Sequence, residues 1–328
     1  MKTCPRPLLL ALLTAGLALL VVVSLSAGKV WVPLEAWFAG ASDPGAIIIF
    51  ELRLPRTLLG IAVGIALGLS GAALQGYTRN PLADPGVLGV SSMAAFGAVM
   101  TLYAGAAATM PWMLPVGAMI GALIGIGVLL LLSGSASSVL TFVLAGMILN
   151  TVSSAGVALA LNLSPSPWAV NEIVNWLMGS LADRSVDDVR LALPFIAAGC
   201  VLLLTIGRAL DALTLGEAGA RSLGIRIDHT RLALAVGVGL AAGASVAVTG
   251  VIGFVGLVTP HLLRPLVGAR PGALLLPSAL AGAVIVLAAD IGVRLLPSAA
   301  ELKLGVAMAG IGGPFFLLLL IRLRRRTA

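Results

Sequence analysis

Apolar residues run through the chain in long uncharged stretches, and polar positions collect in the gaps between them. The stretches fall near 8–27, 57–76, 92–108, 113–133, 139–161, 191–207, 232–252, 253–268, 273–292 and 304–321. A helix needs about 20 apolar residues to cross a bilayer, and lipid cannot satisfy an open backbone. The pattern therefore predicts an all-α integral membrane protein with about ten transmembrane helices in a single domain over 1–328. Glycine and other small residues throughout the runs suit close helix–helix packing. The seventh and eighth runs meet at Thr249-Gly250, where neither charge nor length separates them. The first run has the basic start (Lys2, Arg6) and Ser-Leu-Ser-Ala end of a secretory signal. Its uncharged stretch of 20 residues exceeds the usual 7–15 of a signal core, so it reads as a retained helix.

Composition sharpens this picture. Of 328 residues, 59% are apolar and 10% charged, with 40 glycines and a mean hydropathy of +1.12; a soluble domain is about one quarter charged. A soluble enzyme, a disordered regulator and a nucleic-acid-binding domain are excluded, and short loops leave no room for an attached soluble domain. The net charge of +7 is a topology signal. With ten spans and both termini on one side, 13 of the 20 basic residues share a face and 7 take the other. The richer face, anchored by the Arg322-Leu323-Arg324-Arg325-Arg326 tail, is cytoplasmic. Cys4 and Cys200 are far apart and form no metal or redox motif.

Charge placement bears on energy coupling. Carriers driven by an ion gradient place ionisable groups deep in their helices. Here the acidic residues avoid the span centres, and Asp290 lies near the outer end of its span. The chain has no nucleotide site of its own: Gly28-Lys29-Val30 lacks the Ser or Thr that follows a P-loop lysine. Any ATPase is a separate subunit. A gradient-driven carrier and an intramembrane enzyme are the competing classes. His261 has no second ligand at metal spacing and His229 sits in a loop beside Asp228, so both read as structural or surface residues, with no metal site.

Two regions stand out as contact surfaces. The inner loop 210–230 is the longest charged stretch between spans. Within it, Gly216, Glu217, Ala218, Gly219, Ala220, Arg221, Ser222 and Leu223 fit a short surface helix with a stop at Gly224; an ordinary solvated turn fits equally. On the outer face, Arg53 and Arg56 stand at i, i+3 spacing before a span, with Pro55 between them weakening the case for a continuous helix, and Arg294 ends another span. Three cations against the topological bias suggest a docking surface for an acidic partner. Headgroup snorkelling would account for any one alone.

Longer motifs carry a family resemblance. They are LRLPRTLLGIAVGIALGLSGAALQGYTRNPLADPGVLGVSS at 52–92, LGEAGARSLGI at 215–225, TGVIGFVGLVTPHLLRPLVG at 249–268, and ADIGVRLL with ELKLGVAMAGIGGPFF at 289–316. With them the chain resembles the FecCD-type permease subunits of ABC importers (type II) for iron–siderophore complexes, haem and cobalamin, over nearly its whole length. The resemblance implies a homodimer in the bacterial inner membrane with both termini cytoplasmic. It further implies two ATP-binding subunits inside and a periplasmic or lipid-anchored substrate-binding protein outside. No cofactor belongs to this chain; ATP and Mg are used by the partner ATPase. The segment Gly216–Leu223 matches the ATPase coupling helix. Arg53, Arg56 and Arg294 match the arginines that receive the binding protein, and Asn80 and Leu82 match an inner gate. A second gate element near Val139 to Thr141 does not align cleanly and stays unassigned. An iron–siderophore complex is the expected cargo, as the family's commonest; haem and cobalamin stay open. Where the family has Glu-Leu-Pro this chain has Glu301-Leu302-Lys303, which raises the expectation of a different start to the last helix. The loop after Gly268 also departs from the family pattern.

Overall fold

A computed structural model describes residues 5–38, 40, 43–134, 138–164, 166–297 and 301–327. Lys2 and Cys4 lie outside the described residues. The described chain is helical, as the uncharged runs require. Its principal helices are α1 (Arg6–Ser26), α2 (Leu54–Thr78), α3 (Val90–Tyr103), α4 (Met113–Ser133), α5 (Val139–Asn162), α6 (Pro167–Leu177), α7 (Val186–Thr205), α8 (Gly207–Leu213), α9 (Gly216–Ser222), α10 (Ile227–Thr249), α11 (Val255–Val267), α12 (Pro271–Leu295) and α13 (Leu304–Thr327). Seven helices are long and apolar enough to cross a membrane, and three shorter apolar ones (Val90–Tyr103, Val255–Val267 and Leu304–Leu319) occupy the remaining apolar runs.

The centre of the bundle is the crossing of α2 with α12. Small residues repeat at i, i+4 on both helices: Gly64 and Gly68 face Ser278 and Gly282. A Cβ at Gly68 would stand 2.2 Å from the Ser278 carbonyl oxygen, and one at Gly282 would stand 2.1 Å from that of Gly64. The backbones are thus in contact, the arrangement that small residues permit in lipid, where dispersion rather than hydrophobicity drives association. Layers of α3 on α4 and α7 on α10 flank this pair. Tyr77 and Phe142 meet edge to face at 5.6 Å inside the core.

Two departures from regular helix position the functional regions. Pro55 does not interrupt the chain. A π-helical turn, Ile48–Arg53, runs directly into α2, and Pro55 sits in the first turn, where its missing N–H is tolerated. The other departure is the junction of α10 and α11, which opens at Gly250 (φ 70°) and Phe254 (φ 68°). The freed backbone groups find partners in neighbouring loops: Ser180 N–H donates to the Thr249 carbonyl at 2.7 Å. Gly179, in the same loop, accepts from Gly305 N–H at 3.1 Å as α13 begins.

Candidate functional site

The three outer arginines are not free surface charges. Arg53, Arg56 and Arg294 are 8%, 9% and 6% exposed, and each is held inside the protein. Arg56 forks onto Asp290 (Nη2–Oδ1 2.7 Å, Nε–Oδ1 3.0 Å, Nε–Oδ2 3.1 Å) and also donates to Glu301. Arg294 reaches the second Asp290 oxygen at 3.1 Å, the Ser24 carbonyl at 2.8 Å and the Ser24 hydroxyl at 2.6 Å. Arg53 donates to the carbonyls of Leu25 (2.9 Å) and Val30 (2.5 Å). Unpaired backbone carbonyls at the end of α1 therefore receive two guanidinium groups from other helices. This makes the first apolar run an integral wall of the site. Burial alone would push the Glu301 carboxyl up, but the hydrogen bond and charge of Arg56, aided by Arg294 and Lys29, hold it below the usual carboxylate range. Arg56 and Arg294 are thus paired with carboxylates inside the protein, whereas Arg53 is held by backbone carbonyls alone. Charged groups taken out of water are tolerated only when paired and hydrogen-bonded.

At the other end of α2, Arg79 adopts the left-handed conformation (φ 52°). The Asn80 side chain then accepts from Leu82 N–H at 3.0 Å, closing an Asx turn that carries the half-buried Leu82. This turn leads to Asp84, which caps the short helical segment Pro85–Leu88 through Gly86 N–H at 2.9 Å. Beyond it, Ser92 donates to Asn150 of α5. Around that pair Asp84, Ser91, Ser154 and Val251 line a cleft of about 440 Å³, a polar patch in an otherwise apolar region.

The segment Gly216–Ser222 is a helix of seven residues, with Gly224 (φ 79°) turning the chain beyond it. Its two charged side chains pair at 3.8 Å across one helical turn but differ in exposure. The Arg221 side chain is 61% exposed and the Glu217 side chain 27%. Glu217 points back into the protein and accepts from Val139 N–H at 3.2 Å, at the first residue of α5. Beside it, Ser138 caps α5 by accepting from Thr141 N–H at 3.2 Å. Thr141, in the stretch left unassigned from sequence, thus donates its N–H to the capping residue Ser138.

The chain is similar to known proteins over most of its length. The model of the FecCD transport family matches residues 16–322. The chain belongs to the FecCD transport family. Among FecCD-family relatives, the vitamin B12 import system permease protein BtuC of Klebsiella pneumoniae is 39% identical over 96% of this chain and 93% of its own. The uncharacterized ABC transporter permease YvrB of Bacillus subtilis is 38% identical over 94% and 92%. A solved ABC transporter, provisionally classed as metal-chelate type and caught facing inward, superposes with a TM-score of 0.87 at 33% identity, covering 96% of this chain and 99% of that one. PsaBC from Streptococcus pneumoniae shares the fold at a TM-score of 0.53 and 17% identity. This FecCD-family chain is accordingly a multi-pass membrane permease of the ABC importer class, a transport subunit whose ATPase is a separate partner.

Of the remaining readings, the last helix starts at Leu304, with the Lys303 carbonyl accepting from Ala307 N–H at 3.1 Å; lysine thus stands at the helix boundary. In the loop after Gly268, Arg270 pairs with Asp211 at 2.8 Å, and Asp211 also accepts from Gly272 N–H at 2.8 Å in the first turn of α12. His261 packs edge to face on Phe315 at 5.9 Å, and among the described residues no cluster of metal ligands forms. Sequence reasoning missed the joint role of Asp290 and Glu301 as counter-charges and the inward turn of Glu217. The i, i+4 spacing of Asp290 and Arg294 was the one local signal for the first of these.

Proposed function

We propose that this chain forms, as a homodimer, the membrane channel of an ATP-driven importer that receives cobalamin from a substrate-binding protein. The observation that supports the cargo is the 39% identity over 315 residues with a vitamin B12 permease. ATP coupling is supported by the absence, among the described residues, of a buried charge at mid-span. The buried charges Arg53, Arg56, Arg231, Asp290 and Arg294 all lie within two turns of helix ends and are held by fixed partners. In this reading α9 receives the ATPase, Asn80 and Leu82 form the inner gate, and the Arg53, Arg56 and Arg294 end of the bundle receives the binding protein. Both termini lie in the cytoplasm of a bacterial cell, and ATP and Mg act on the partner subunit. Dimerisation is supported by α5, which leaves Leu140, Met147, Ile148, Val152 and Leu159 exposed in one protomer beside the polar Asn150 and Ser154.

The test is uptake into proteoliposomes that hold the permease, its ATPase and its binding protein. Radiolabelled cyanocobalamin should accumulate when ATP is enclosed and should continue to do so after a protonophore is added. Loss of uptake with the proton gradient alone would defeat the ATP-driven reading. An iron–siderophore cargo is the second reading, favoured by the metal-chelate class of the inward-facing neighbour. Accumulation of ferrichrome in place of cyanocobalamin would select it.

A further inference from the structure

A cavity of about 570 Å³ opens between the end of α1, the π turn before α2, the end of α12 and the loop joining α6 to α7. Arg53, Arg56 and Arg294 line one side of it. The loop contributes Arg184, a cation that neither the charge count nor the family motifs had singled out. With Lys29, five cations face the cavity against three carboxylates, Glu51, Asp183 and Glu301.

Arg184 differs from the other arginines in one respect. Each of them is tied by hydrogen bonds, whereas Arg184 forms no hydrogen bond or ion pair among the described residues, and its Nε–H is buried without a partner. The two nearest candidate anions do not serve it. Asp188 is engaged by Ser185, accepting from its N–H at 2.8 Å and its hydroxyl at 2.9 Å in the capping box of α7. Asp183 sits in the left-handed region (φ 57°) immediately before Arg184 and is exposed. Both act on Arg184 only through space. The loop that carries Arg184 is fixed on either side, by the bond from Ser180 to Thr249 and by the capping box. A second orphan lines the same cavity: Arg294 Nε–H is also buried and unpartnered. Buried donors in native proteins are almost always satisfied. Two unmatched guanidinium N–H groups around one cationic cavity point to an acceptor that comes from elsewhere.

We propose that Arg184 is an additional docking residue, and that an aspartate or glutamate side chain of the substrate-binding protein enters this cavity and accepts from Arg184 and Arg294. The proposal rests on the reading of this end of the bundle as the binding-protein face. A planar guanidinium fork suits a carboxylate. The internal pairs of Arg56 with Asp290 and Glu301 hold the far wall in place, so the incoming carboxylate meets a preformed site. Because Arg184 has no internal bond to lose, its replacement leaves the permease intact.

The experiment measures association of the ligand-free binding protein, co-purified with the transporter, onto nanodisc-embedded permease–ATPase complex at several salt concentrations. For the unmodified complex the association rate should fall as salt rises. Arg184→Gln should lower the rate about threefold at low salt, since one of several steering charges is removed, and should flatten the salt dependence. Its thermal unfolding and ATPase retention should match the parent. Arg184→Lys, which keeps the charge without the fork, should recover the association rate but dissociate faster. An unmodified complex insensitive to salt would overturn the reading of the face itself. A salt-sensitive complex in which Arg184→Gln changes neither rate nor slope would overturn the role of Arg184 alone. Loss of phosphatidylglycerol from Arg184→Gln in native mass spectrometry, with association unchanged, would make the cavity a lipid site and overturn it also.

Discussion

Asp290 has no exposed surface and is shared between Arg56 and Arg294. Removing its charge leaves two guanidinium groups in a space built for three ions. Breaking a buried pair by deleting one partner costs about 3–5 kcal/mol, so Asp290→Asn should lower the unfolding midpoint in detergent by many degrees. Glu301→Gln should do less, because the Glu301 side chain is 29% exposed and water can screen the loss. Equal midpoints for both variants would show that the shared carboxylate is not what holds the cluster. The arginines were legible in the sequence as a set, since cations on the cation-poor face are conspicuous. Their counter-charges were not: Asp290 and Glu301 stand 234 and 245 positions beyond Arg56, and no local spacing rule connects residues so far apart. The fork that Arg56 makes exists only once α2 and α12 have crossed.

At the scale of elements, lipid makes long helices readable. A run of apolar residues has one permitted form in hydrocarbon, and the crossing of α2 on α12 needs only small residues at i, i+4. The short elements obey other rules. Helix α6 has 11 residues with Ile173 and Trp176 buried and Trp168 exposed; its polar Asn171, Glu172 and Asn175 masked it from a search for uncharged runs. Helix α9 was visible through its glycines and charges, yet the division of labour between its charges was not. Glu217 binds the start of α5, where the partial positive charge of the helix terminus favours a carboxylate, and its other oxygen pairs at 3.8 Å with the more exposed Arg221. Glu217→Gln should therefore raise amide exchange in the first turn of α5 while the ATPase stays bound. Arg221→Gln should raise that exchange less, because its pair with Glu217 is solvent-exposed and weak, and should weaken ATPase retention. Identical exchange in both variants would remove the link between α9 and α5.

At the scale of the whole molecule, one protomer leaves α5 largely uncovered, with 28% of its most apolar window buried. In the proposed homodimer a second copy covers this helix, and the Asx turn at Asn80 meets its equivalent across the axis. Leu82→Cys, in a chain whose Cys4 and Cys200 are replaced, should crosslink between protomers when the inner gate is closed; no crosslink in any nucleotide state would take Leu82 out of the gate. The ion cluster has a further consequence, for the order in which the protein is made. Arg53 and Arg56 leave the ribosome long before Asp290 and Glu301 exist. Bacterial synthesis adds about 5–20 residues per second, so the arginines wait roughly 10–50 s for their carboxylates. During that interval α2 has to keep its N-terminal turn near water or headgroups, and it can settle to its final depth only when α12 arrives. The last third of the chain therefore seats the first, and a polypeptide cut short before residue 290 leaves its early helices carrying charges that the membrane cannot hold.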